Sequence, residues 1–392
     1  MLPYLIEISN HFYTVIRFNM PYLTGNEIKR IAEAYEARHL SGDGHFTKLC
    51  SSWLETHFPC ERALLTHSCT AALEMAAILI DIKPGDEVIM PSYTFVSSAN
   101  AFVLRGGVPV FIDIREDTLN IDETLIEQAI TSKTRAILPV HYAGVACEMD
   151  TILDLAKKHN LFVIEDAAQG IMSKYKGQSL GTMGDLGCLS FHETKNITSG
   201  EGGALIVNNS DLVQRAEVIR EKGTDRLQFS RGEVDKYSWK DIGSSFLPGE
   251  TTAAFLYAQL EQATHITDSR IKVWETYHRF FANYKELGSI KIPCIPESCE
   301  ANGHLFYLLM HNHSDREDFI NFMALEEINC IFHYIPLHSS LAGMKYGRVG
   351  SSMERTESLS SRVVRLPLWV GLDTSSVTQS FSTWHSTKIS SI

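Results

Sequence analysis

Between about residues 60 and 210 the chain alternates short β-rich runs with helical runs, and this alternation restricts the fold more than any other feature. Seven runs read as strands: 63–66, 87–90, 108–112, 136–140, 162–164, 188–191 and 204–207. Helical stretches over 70–80, 121–130 and 150–159 lie between them. Strands and helices alternating through short linkers predict an α/β protein with a mostly parallel, doubly wound sheet. The strand runs are apolar at successive positions, as expected where helices cover both faces. Ligands of such sheets sit beyond the carboxyl ends of the strands. Thr70, Phe95, Asp166 and Lys195 each fall just past such an end.

After a loop rich in charge and glycine (223–249), residues 251–287 read as helical. Pro293 and Pro296 mark a boundary, so a large domain is expected over 17–287 and a smaller α+β domain over 288–392. Residues 1–16 read as an N-terminal extension, and the Ser/Thr-rich stretch 374–392 as a weak or fraying helix. A formal net charge of −12 opposes non-specific binding to nucleic acid. The eight cysteines form no C-x-x-C pair and are scattered, which suggests free thiols in a reducing compartment. No run reaches the roughly 18 apolar residues of a membrane span. The first residues carry Glu7 and no leading positive charge, unlike a signal peptide. A cytoplasmic location and no membrane partner are expected.

The chemistry concentrates at two strand ends. Lys195 lies in Phe191-His192-Glu193-Thr194-Lys195-Asn196, shortly before Gly200-Glu201-Gly202-Gly203, and Asp166 closes the run that ends Glu165-Asp166. A lysine and an aspartate at neighbouring strand ends suit pyridoxal 5'-phosphate (PLP). The amine condenses with the cofactor's aldehyde, and the carboxylate keeps the pyridine nitrogen protonated. Most lysines in any chain are solvated, and an aspartate at a strand end alone is more often a helix cap. The pairing, and glycines that permit close backbone approach, favour the functional reading. Ser68-Cys69-Thr70-Ala71-Ala72 follows a strand and opens a helix, where amides and a hydroxyl converge on an anion. Cys69, Thr70 and Ala71 are therefore candidates for the phosphate, with Ser190 supplying a second hydroxyl. Gln169 is a candidate for the cofactor's 3-hydroxyl. Phe95, in Pro91-Ser92-Tyr93-Thr94-Phe95, is a candidate to stack on the pyridine, although such a ring alone is more often core.

Taken together these runs resemble the DegT/DnrJ/EryC1/StrS sugar aminotransferases. The matching runs include Ser41-Gly42-Asp43-Gly44 with Phe46, the serine–threonine turn, Glu165-Asp166-Ala167-Ala168-Gln169 and the lysine segment. They also include His333-Tyr334-Ile335-Pro336-Leu337-His338 and Arg365-Leu366-Pro367-Leu368, in order from about residue 17 to 372. The resemblance implies PLP fold type I, with a seven-stranded sheet in the large domain. It implies a homodimer with shared active sites, acting on a nucleotide-sugar with L-glutamate as donor. The implied reaction converts dTDP-4-keto-6-deoxy-D-glucose to dTDP-4-amino-4,6-dideoxy-D-galactose, a sugar for surface-polysaccharide synthesis, and releases 2-oxoglutarate. Gly44, Phe46, Arg231, Lys236 and His338 are the implied substrate contacts. Many relatives carry Gly-x-Asn-x-Arg, which reaches the partner subunit's phosphate. Here Gly243-Ser244-Ser245-Phe246-Leu247 puts Ser245 in the asparagine position and leucine in the arginine position. Rival readings are amination to the gluco epimer or at C3, a sugar 3-dehydratase (which carries histidine in place of the lysine), and a non-catalytic PLP-binding protein.

Overall fold

The structure, a computed structural model, describes residues 15–389. Seven strands are β1 (Arg62–Thr66), β2 (Glu87–Pro91), β3 (Val108–Ile112), β4 (Thr134–Ile137), β5 (Phe162–Asp166), β6 (Leu186–Ser190) and β7 (Gly203–Val207). They correspond to the seven sequence runs within a few residues. An eighth, β8 (Arg348–Val349), comes from the C-terminal part of the chain and pairs parallel with Val110 and Phe111 of β3. The sheet order is β1-β7-β6-β5-β4-β2-β3-β8, so eight strands replace the seven expected. Two residues give no periodicity to read, which is why the sequence did not reveal β8. It is held by Arg348, whose guanidinium grips the Glu87 carboxylate through bonds of 2.7 and 2.8 Å. Only β7 runs against its neighbours; it is antiparallel to both β1 and β6.

Alternate residues of the strands feed two separate apolar layers. Leu65, Ile89, Val110, Ile137, Val163 and Ile206 face one, while Leu64, Val88, Phe111, Ala136, Ile164 and Leu205 face the other. This double coverage explains the unbroken apolar runs. A third core gathers Tyr277, Phe281, Phe306, Phe319 and Val364 around the two-stranded sheet Phe306–Leu309 with Val363–Leu366.

Two expectations change. The stretch 121–130 is not one helix: Ile121 pairs with Ile114 as an isolated bridge, and Asp122 then caps a 3-10 turn (Glu123–Leu125) and one α-turn (Ile126–Ala129). The extended pairing of buried Ile121 outweighs the weak helical pattern. The Ser/Thr-rich tail forms a continuous helix, Ser375–Ile389, because Val377, Phe381 and Trp384 recur at helical spacing and are buried in the third core. The expected extension, residues 1–16, falls mostly outside the described residues. Ile16 itself pairs with the chain at Glu327 and Asn329.

Candidate active site

A cavity of about 640 Å3 opens at the carboxyl rim of the sheet. Seven of the expected residues line it together: Cys69, Thr70, Phe95, Asp166, Gln169, Ser190 and Lys195. Lys195 rides the loop joining β6 to β7, which is pinned where the Phe191 amide donates to the Gly202 carbonyl at 2.8 Å. Burial pulls its ammonium below the ordinary lysine value of 10.5, against the opposing influence of Cys69 and Asp166. Its surroundings are enclosed, yet the side chain keeps some solvent contact through the cavity mouth. Among the described residues it enters no ion pair.

Asp166 ends β5 with its carboxylate oriented from both sides. Ser98 Oγ donates to Oδ2 at 2.6 Å, and the Ala168 amide donates to Oδ1 at 3.2 Å. Thr94 lies 2.8 Å behind Ser98, and because the Ser98 proton is committed to Asp166, Thr94 donates. Gln169 is likewise fixed: its Oε1 accepts the Ala143 amide at 2.7 Å and its Nε2 donates to the Tyr334 hydroxyl at 3.1 Å. Phe95 is 57% exposed on the cavity wall, with its ring 6.4 Å from that of Tyr334.

The helix Cys69–Leu79 begins at the rim with Ser68 as N-cap, whose Oγ accepts the Ala71 amide at 3.1 Å. That bond takes up Ala71, which is buried and does not line the cavity, so the amides left for an anion are those of Cys69 and Thr70. Thr70 Oγ1 and Ser97 Oγ lie 2.8 Å apart at the same end. A Cβ on Gly203 would come within 2.4 Å of the Cys69 nitrogen, so only glycine lets β7 approach this turn. The donor set fits a phosphate, and with Lys195 and Asp166 on the same cavity it fits PLP.

Six expected residues lie elsewhere. The Glu250 carboxylate accepts the amides of Gly44, Phe46 and Thr47, and the Phe46 ring is buried in the core. Arg231 is bonded to Glu217 and Glu233, so its charge is already matched, while Lys236 is exposed on the same loop. His338 sits between Ser92 Oγ, at 2.7 Å, and Glu357, at 3.3 Å. Ser245 is exposed and bridges Glu221, away from this chain's cavity.

Arg270, His304, His333, Tyr334 and Arg365 also line the cavity, although the sequence did not point to them as site residues. His333, Tyr334 and Arg365 stand in the runs shared with the family, 333–338 and 365–368; Arg270 and His304 carry no local signal. Arg365 stacks over Phe18 with its guanidinium 4.5 Å from the ring centre, and its buried Nε meets no acceptor. Arg270 donates to the carbonyls of Gly303, His304 and Leu368, and burial pulls it down to about 9. Neither arginine faces a carboxylate among the described residues.

The model of the DegT/DnrJ/EryC1/StrS aminotransferase family matches residues 21–383. The spore coat polysaccharide biosynthesis protein SpsC of Bacillus subtilis is 31% identical over 373 residues, 93% of this chain and 94% of that one. GDP-perosamine synthase of Caulobacter vibrioides is 35% identical over 262 residues, 67% of this chain and 69% of that one. Among solved structures, Helicobacter pylori PseC, an aminotransferase involved in the biosynthesis of pseudoaminic acid, superimposes with a TM-score of 0.86. It is 26% identical, with 95% of this chain and 99% of that one covered. TlmJ, an aminotransferase from Streptoalloteichus hindustanus, gives 0.86 at 25% identity, covering 95% and 100%. No helix among the described residues is long and apolar enough to cross a membrane. With a desolvated lysine, an oriented aspartate and an anion-ready helix end on one rim, the chain belongs to the DegT/DnrJ/EryC1/StrS family and is a PLP-dependent sugar aminotransferase.

Proposed function

We propose that the enzyme transfers the amino group of L-glutamate to C4 of dTDP-4-keto-6-deoxy-D-glucose, giving dTDP-4-amino-4,6-dideoxy-D-galactose and 2-oxoglutarate in the cytoplasm. The observation that carries the aminotransferase half is the meeting of Lys195 and Asp166 on one cavity beside the Cys69–Thr70 amides. The choice of a nucleotide-linked keto-sugar draws on relatives such as GDP-perosamine synthase, whose name specifies a GDP-sugar rather than a dTDP-sugar.

PLP, when bound, supplies an electron sink for the carbon that loses a proton. The chain does the rest. Cys69 and Thr70 amides, the Thr70 hydroxyl and Ser190 Oγ would hold the phosphate, and Phe95 would cover the ring. Asp166, held by Ser98 and the Ala168 amide, keeps a proton on the ring nitrogen. Gln169 meets the 3-hydroxyl. Lys195, lowered by burial, has a free amine at milder pH than an ordinary lysine and would move the proton between the substrate carbon that bears nitrogen and the cofactor's C4′. Arg365, with an unpaired buried Nε, anchors a carboxylate of the donor.

In this reading residues 17–287 form the cofactor-binding domain and 288–392 the smaller one, in a homodimer. Ser245, exposed outside its own cavity, reaches the phosphate of the second copy. Arg231, Lys236 and His338 contact the nucleotide-sugar at the sites shared between the copies, and Gly44 and Phe46 contribute through the segment that Glu250 holds. The test is incubation with glutamate and the dTDP- and GDP-linked 4-keto-6-deoxy sugars, with product configuration read by NMR. An amine at C4 with galacto configuration from the dTDP-sugar supports the reading. A gluco product, a C3 amine or turnover of the GDP-sugar alone overturns its finer part.

A further inference from the structure

His304 lies on the cavity wall, 8% exposed, on the chain leading into the strand Phe306–Leu309. The hydrogen bonds behind it fix where its proton sits. Asn196, next to Lys195, has an amide facing the Asn302 carbonyl at 2.9 Å; a carbonyl only accepts, so Asn196 presents its NH2 there. The Asn196 oxygen therefore faces His304 Nδ1, also at 2.9 Å, and an amide oxygen only accepts, so Nδ1 carries the proton. Asn302 closes the frame. Its NH2 donates to the carbonyls of Gln169 and Ile171, and its side-chain oxygen accepts the His304 amide at 3.0 Å. Asn302 is fully buried, and a Cβ on Gly144 would come within 2.3 Å of its oxygen, so the frame has no room to turn over.

A neutral imidazole with Nδ1 protonated has a bare lone pair on Nε2. In the described structure Nε2 has no partner within the chain. The charged groups around the ring are Lys195, Arg270 and Arg365, with the second buried imidazole, His333, beyond; all oppose a second proton on His304. Set among these cations, the ring faces the cavity as an acceptor that does not become a donor.

We propose that His304 is a tautomer-locked acceptor whose Nε2 takes a hydrogen bond from an N–H or O–H group in the cavity. Asn196 and Asn302 serve it as positioning residues. This rests on the aminotransferase reading only for what enters the cavity; the locked tautomer itself does not depend on it. The donor has two sources, the Lys195 amine and a hydroxyl or amine of the bound substrate.

The first test needs no turnover. Histidine-selective 15N NMR on the cofactor-free enzyme, assigned with His304→Gln, should give a neutral ring protonated at Nδ1 throughout the stable pH range. A ring protonated at Nε2, or one titrating near 6.5, overturns the proposal. Asn196→Asp should make the same resonance titrate near neutral pH, because a carboxylate then stabilises the second proton. An unchanged signal in that variant overturns the lock. The second test identifies the donor with His304→Gln and His304→Phe. If Lys195 is the donor, the pH midpoint for acylation of Lys195, followed by mass spectrometry in cofactor-free protein, falls in the Phe variant and recovers in Gln. If the substrate is the donor, that midpoint stays and KM for the sugar or glutamate rises about tenfold in Phe, the loss of one hydrogen bond, with kcat less affected. No change in either quantity overturns the assignment. Failure of the aminotransferase reading would appear as no turnover in the wild type and would leave the NMR result standing.

Discussion

Ser98 Oγ donates to Asp166 Oδ2 at 2.6 Å, and this bond makes the aspartate a directed carboxylate rather than a free-swinging one. Ser98 sits in the first turn of the helix Val96–Val103, so the strand carrying Asp166 and the helix entered from Phe95 are set against each other by that contact. Ser98→Ala should weaken binding of PLP to the cofactor-free enzyme by about 10- to 150-fold, the worth of a hydrogen bond to a charged group. Titration followed by the visible absorbance of the bound cofactor measures it. Wild-type affinity in the variant would show that Asp166 needs no such support.

Lys195→Ala should abolish the visible absorbance of the covalently held cofactor and lower turnover by at least about a thousandfold, within the range expected for a lost acid–base group. Lys195→Arg should fail equally, since a guanidinium does not give up its proton at neutral pH. A Lys195→Ala protein with normal turnover would refute the role given to this amine.

Gly203→Ala forces a methyl to within 2.4 Å of the Cys69 nitrogen, whereas Gly200→Ala meets nothing within 4 Å and faces only the strain of a φ of +79°. The first should lose PLP affinity by tenfold or more, together with thermal stability, as the rim reshapes. The second should cost about 1 kcal/mol of stability and leave affinity nearly intact. Paired urea melts and cofactor titrations separate the two effects.

Burial, aided by the neighbouring cations, keeps His304 and His333 unprotonated well below the ordinary 6.5. The unfolded chain binds a proton at each below 6.5 and the folded chain does not, so stability rises with pH up to 6.5 and levels off above it. Each histidine should remove about 1.4 kcal/mol per pH unit as pH falls below that point. Urea midpoints across the acid range should show this dependence, and His304→Gln should reduce the slope by about 1.4 kcal/mol per pH unit. An identical slope in the variant would mean that His304 is protonated in the folded enzyme.

Much of the sheet and half of the site were legible in the chain because their signals are local. A buried strand announces itself by consecutive apolar residues, and Lys195, Asp166 and the Ser68–Ala71 turn each follow one. His304 and Arg270 were silent because their meaning comes from partners far away in sequence: Asn196 for the one, and the carbonyls of Gly303, His304 and Leu368 for the other. Arg231 is hard to read for the opposite reason. A loop cation invites an anionic ligand on paper, but Glu217 and Glu233 lie closer. Glu250 drew in the backbone of Gly44 and Phe46 in the same way, turning a glycine-rich run into a helix start.

The reversed direction of β7 has one more effect. Because it descends beside β6, the twelve residues 191–202 form a closed hairpin loop, latched at its base by the Phe191–Gly202 bond and the pairing of Ser190 with Gly203. A nucleophile on a free crossover could drift; one on a staple cannot travel far from the rim. The amine it carries is thus kept at the cavity rim, where the cofactor would lie, through both halves of the reaction.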